Sequence, residues 1–63
     1  MTKEEAMRGL EQSINEKDKI LEMRRNAKTA VEDKILASRQ KLAEEDISYY
    51  QRYLETLEGG AVQ

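Results

Sequence analysis

Three groups of side chains in this sequence have the chemistry for a site. Carboxylates cluster at Glu4-Glu5, Glu32-Asp33 and Glu44-Glu45-Asp46, and such oxygens ligate hard cations and do acid–base work. Adjacent helical residues point about 100° apart, so none of these runs closes a cage, and no calcium-loop spacing occurs. Cations gather at Arg24, Arg25 and Lys28, with Lys17 and Lys19 one or two turns back. They are the candidate phosphate contacts. Asp18 and Glu22 interrupt them and no aromatic ring lies beside them for base stacking, so a solvated helix end is the plainer reading. Tyr49, Tyr50 and Tyr53 form the most distinctive local feature. Tyrosine concentrates binding energy at interfaces, which makes the triplet a candidate hot spot. The plainer alternative is a set of core tyrosines with wet hydroxyls.

The elements that must carry these groups are helices. The chain has 63 residues with no cysteine, histidine, proline or tryptophan. That composition excludes a disulfide scaffold, thiolate or imidazole metal sites, and His- or Cys-based catalysis. A chain this short offers no obvious pocket for paired carboxylates either, so no enzyme, metal or cofactor is expected. The net charge of -2 is nearly balanced and supplies no global field toward nucleic acid. No apolar run approaches the 18 or so residues of a membrane span, and no apolar signal core opens the chain. A single helical domain over 1–63 is expected, cytoplasmic and without a membrane partner.

Between residues 10 and 58 there is neither glycine nor proline, and the interior is rich in good helix formers. Thr2 and Glu5 make a capping box, with further boxes at Ser13/Glu16 and Thr29/Glu32. Gly59 reads as a left-handed stop, and 59–63 as a frayed tail. Alternating steps of three and four residues trace a seam through Met7, Leu10, Ile14, Lys17, Leu21, Arg24, Lys28, Val31, Ile35, Ser38, Leu42, Asp46, Tyr49, Tyr53 and Leu57. Two apolar blocks flank a basic middle at Arg24 and Lys28. Burying that middle in one continuous seam would be costly. A turn near Asn26–Lys28 removes the cost, places Arg24 and Arg25 at a negative helix end, and lets Thr29 cap the next helix. The preferred fold is therefore all-α: a two-helix hairpin, about 3–25 and 30–58. Against it, Ile20, Val31, Leu42 and Tyr53 repeat every eleven residues, as in one long continuous coiled-coil helix of roughly 84 Å.

The second segment is wider in its apolar face than the first. Val31, Ile35, Leu36, Leu42, Ala43, Ile47, Tyr49, Tyr50, Tyr53, Leu54 and Leu57 cover about 160° of a helix, and one narrow partner cannot cover that. Charge is also uneven: residues 1–31 carry seven basic and six acidic side chains, residues 32–63 four and seven. The surplus apolar face predicts a homodimer, as a coiled coil or four-helix bundle. Its interface residues would be Met7, Leu10, Ile14, Leu21, Val31, Ile35, Leu42, Tyr49, Tyr50, Tyr53 and Leu57. Arg39 and Asp46 are the candidate specificity pair, because a carboxylate at a seam position needs a partner and often fixes register.

The length, the opening Met1-Thr2-Lys3 and the two-arm layout resemble the plasmid-encoded Rop-type hairpins. That resemblance implies dimerisation into a four-helix bundle and binding of paired RNA loops. The stretch Ser38-Arg39-Gln40-Lys41-Leu42 is similar to the Ser-Gln-x-Leu-Asp motif of small sporulation phosphatases, but Ala43 stands where that family has its acidic residue. The leading expectation is a homodimeric module that binds another protein, as inhibitor, adaptor or assembly factor. An RNA-binding regulator and a structural coiled-coil scaffold are the alternatives.

Overall fold

The computed structural model describes residues 1–57, which form two packed helices, α1 (Lys3–Arg25) and α2 (Ala30–Leu57). Gly59, the tail 59–63 and the end of the second helix expected at 58 lie outside the described residues. The molecule measures 48 × 20 × 15 Å, far short of the roughly 84 Å of a single helix. The hairpin is the fold.

Local chemistry sets the ends. Thr2 Oγ1 accepts from the Glu5 backbone N–H at 3.1 Å, while Glu5 Oε1 accepts from the Thr2 N–H at 2.8 Å. The same reciprocal box opens α2: Glu32 N–H donates to Thr29 Oγ1 at 3.1 Å. Glu32 Oε1 accepts from Lys28 and Thr29 N–H at 2.9 and 3.3 Å. Two backbone donors at the start of α1 and three at the start of α2 are thus satisfied. The Ser13/Glu16 pattern falls mid-helix and starts nothing. Arg24 and Arg25 occupy the last turn of α1, where positive charge suits the helix end.

The turn has no glycine because it needs none. Asn26 has φ -100°, which any residue adopts. Its N–H and that of Ala27 close the last turn on the Met23 and Arg24 carbonyls at 3.1 and 3.2 Å. Its side-chain amide donates to the Glu22 carbonyl at 3.1 Å.

The helices run antiparallel, as the pairs Gly9–Tyr50, Lys17–Glu44 and Arg24–Asp33 require. Ala6, Ile20, Leu36 and Ala43 are buried between them, with Leu10, Ser13, Ala27, Ile47, Tyr50 and Leu54 partly covered. The contact line on α2 is therefore Leu36, Ala43, Ile47, Tyr50 and Leu54. It lies one residue past Ile35, Leu42 and Tyr49 of the sequence seam, a rotation of about 100°.

This corrects the seam within the protomer. Ile20, which trails to one side of that seam, is 2% exposed and the largest fully buried side chain. Tyr50, one step off that seam, packs inward over Gly9. Tyr49, placed on the core, is exposed. Small residues on α1 decide the matter, since Ala6, Gly9 and Ser13 leave room for α2 to approach and for the Tyr50 ring to lie across.

Candidate interaction surface

With only Ala6, Ile20, Leu36 and Ala43 buried among the described residues, the hairpin leaves much apolar surface in water. Met7, Ile14, Met23, Val31, Ile35, Leu42, Tyr49 and Leu57 stand between 41% and 67% exposed. Leu10, Leu21 and Tyr53 are half-buried. Tyr50 is half-buried as well, so every interface candidate lies wholly or partly outside the intramolecular contact.

These side chains do not share one side of the molecule. Seen from one end, antiparallel helices wind in opposite senses while their contact faces point at each other. A step forward from the contact line on either helix therefore leads to the same side of the hairpin, and a step back leads to the other. Met7, Ile14 and Leu21 follow Ala6, Ser13 and Ile20. Ile35, Leu42 and Tyr49 precede Leu36, Ala43 and Tyr50. The two sets face opposite ways.

The grooves agree with this geometry. One is lined by Met7, Leu10 and Ile14 with Leu54 of α2. Another is lined by Gln12, Ser13 and Glu16 with Arg39, Leu42 and Asp46. A third, toward the turn on the same side as the second, brings Met23 and Asn26 to Ile35 and Leu36. Arg39 and Asp46 thus lie in one groove, on either side of Leu42, both exposed.

The Met7/Ile14 side carries the polar contacts between the helices. Arg24 grips Asp33 with two parallel bonds, Nε to Oδ1 at 2.9 Å and Nη2 to Oδ2 at 3.1 Å. Its Nη1 donates to Gln40 Oε1 at 2.7 Å. Gln40 Nε2 in turn donates to Glu44 Oε2 at 3.0 Å, and Lys17 Nζ stands 3.2 Å from the same oxygen. Hydrogen bonding from Arg24 holds the Asp33 carboxyl below its ordinary range. The Gln40 amide, and after it Lys17, do the same for Glu44. Bonding to a charged form favours that form.

This ladder changes the meaning of the basic cluster. All three guanidinium nitrogens of Arg24 are engaged, so it offers no open fork to a phosphate. Arg25 pairs with Glu22 at 3.1 Å across one turn, largely in water, and Lys28 is exposed. The three candidate phosphate contacts therefore do not converge. The acidic runs disperse as well: Glu44 joins the ladder, Asp46 faces the opposite groove, and Glu45 is exposed between them. Among the described residues no three acidic side chains gather where a metal ion could sit, and no helix is long and apolar enough to cross a membrane.

In the sequence Lys17 and Arg24 stand as interruptions of an apolar stripe, which hides the ladder they form. A signal was present. Lys17 and Arg24 are seven residues apart on α1, as Asp33 and Gln40 are on α2, with Glu44 one turn further. Folding the chain at residue 28 lays one set against the other.

The tyrosines hold three different places. Tyr50 sits over Gly9, Tyr49 packs edge-on against it with centroids 5.3 Å apart and an interplanar angle of 73°, and the Tyr53 hydroxyl donates to the Met1 carbonyl. No family model, curated protein or solved structure matches this chain.

Proposed function

We propose that the protein is a homo-oligomeric helical module that binds another protein, as an inhibitor, adaptor or assembly factor in the cytoplasm, without catalysis. One observation carries this reading: large apolar side chains stand exposed on two opposite faces of a hairpin that, among the described residues, buries only Ala6, Ile20, Leu36 and Ala43. Soluble monomers rarely leave contiguous apolar surface uncovered, and such patches mark protein contacts. Two opposite faces allow one to be used in self-association while the other meets a different chain. The engaged Arg24 fork supports a protein partner over RNA, whose phosphates would need that arginine free.

The test is association itself. Sedimentation equilibrium should give a dimer or larger species, and the thermal midpoint followed by circular dichroism should rise with concentration. A melt unchanged across a hundredfold dilution of a sedimenting monomer refutes the oligomeric reading. Binding of a second protein is read by captured chains that are lost with Met7→Glu/Ile14→Glu, in a variant that still self-associates.

A further inference from the structure

We infer that a second copy of this chain docks antiparallel on α2, about a two-fold axis passing between Leu42 and Ala43, over the face formed by Val31, Ile35, Leu42 and Tyr49. The inference rests on the self-association proposed above and adds which face is used, in which direction and with what register. Leu42 is 62% exposed, with Ile35 and Tyr49 seven residues away on either side at 56% and 57%. An antiparallel copy centred there sets Leu42 beside its own image, and Ile35 of each chain within one residue of level with its partner's Tyr49. The apolar rows are thereby covered from end to end.

Charge supplies the direction. Around the same centre α2 is basic on one side, at Arg39 and Lys41, and acidic on the other, at Glu44, Glu45 and Asp46. Arg39 and Asp46 lie equally far from the midpoint, about 5 Å along the helix at 1.5 Å per residue. Both edge the same groove beside Leu42. A two-fold across the helix axis keeps that groove edge on one side of the pair. Each Arg39 then stands level with its partner's Asp46, twice over. A parallel copy instead sets Arg39 beside Arg39 and Asp46 beside Asp46. Rim pairs of this kind add little affinity, but like charges forced together select against the wrong arrangement. The carboxylate that looks misplaced beside Leu42 is an orientation device.

Two measurements test this on the full chain. Arg39→Asp should weaken self-association on the order of tenfold, by setting acid against acid at both ends. Arg39→Asp/Asp46→Arg should restore it, since the pairs re-form with their signs exchanged. Direction is read by spin labels on single cysteines, which the native sequence lacks. Labels at Lys41→Cys should lie close across the dimer, while labels at Glu55→Cys should lie about 40 Å apart, from 25 residues at 1.5 Å each. Short distances at both positions establish a parallel pair and overturn the inference. A dimer indifferent to Arg39→Asp uses another face and overturns it too, with self-association left standing. A monomer at every concentration removes both.

Discussion

Gly9 is a helix-interior glycine that most reasoning would replace with alanine for stability. In isolation the exchange gains about 1 kcal/mol of helix propensity. The structure opposes it. A Cβ built on Gly9 would sit 2.4 Å from Tyr50 Cζ, 2.7 Å from Cε1 and 2.8 Å from the hydroxyl oxygen. Ordinary carbon contacts lie near 3.5–4.0 Å, so the ring must retreat by about 1 Å or more. It has little freedom to do so, because Tyr49 packs against it edge-on. Overpacking of this kind costs about 1–3 kcal/mol. Gly9→Ala should therefore be destabilising by about 0–2 kcal/mol, the difference of the two terms. In a Tyr50→Ala background the obstacle is gone and the same exchange should stabilise by about 1 kcal/mol. The sign reverses. The assay is a double-mutant cycle by thermal and urea unfolding at one fixed protein concentration, with midpoint shifts of about 4–8 °C per kcal/mol for a chain this size. If Gly9→Ala raises the midpoint equally with and without Tyr50, the ring does not lie on Gly9 and the inward placement of Tyr50 is wrong.

Three further outcomes are expected. Ile20→Ala should cost about 2–5 kcal/mol, since it empties the most buried large site; a loss below about 1 kcal/mol would place the intramolecular core elsewhere. Leu42→Asp should abolish self-association yet leave the hairpin helical at high concentration, because Leu42 lies outside the contact between α1 and α2; a dimer that survives the change argues against the α2 face. Asp33 and Glu44 titrate below their ordinary values of 3.8 and 4.5 in the fold, so their stabilisation is present above those values and lost as pH falls through the lower folded ones. Melting points from pH 7 to pH 2.5 should drop below about pH 4.5, and Asp33→Asn/Glu44→Gln should flatten the drop; an unchanged profile would show that the ladder adds nothing.

Much of this fold is local and was legible for that reason. Thr2/Glu5 and Thr29/Glu32 announce two helix starts from residues three apart, and Arg24 and Arg25 announce an end. A turn falls between them because charges at Arg24 and Lys28 resist a continuous apolar seam. The direction in which α2 turns its wide apolar face was not legible. Ile35, Leu42 and Tyr49 differ from Leu36, Ala43 and Tyr50 by one step, and both rows are apolar. The choice depends on α1, where Gly9 gives a berth to one tyrosine ring, and where Lys17 and Arg24 find Glu44, Gln40 and Asp33. Those contacts span 9 to 41 residues of sequence, and periodicity within one helix does not register them.

The same geometry explains why one stripe in the sequence becomes two surfaces in space. A seam drawn straight through the chain assumes a single winding sense, and the turn at 26–29 reverses it for the second half. Met7 and Ile14 are carried to the side of the Arg24 ladder, while Ile35 and Leu42 are carried to the side of Arg39 and Asp46. The two sides differ in kind. On the first, cations and carboxylates are already paired within the protomer, so a partner there meets apolar side chains beside satisfied charges. On the second, Arg39 and Asp46 stand seven residues apart on the same helix, about 10 Å at 1.5 Å per residue, too far for a direct pair. A chain that brings the opposite charge to each of them at that spacing, with an apolar row between, completes this surface. Run antiparallel, α2 itself is such a chain.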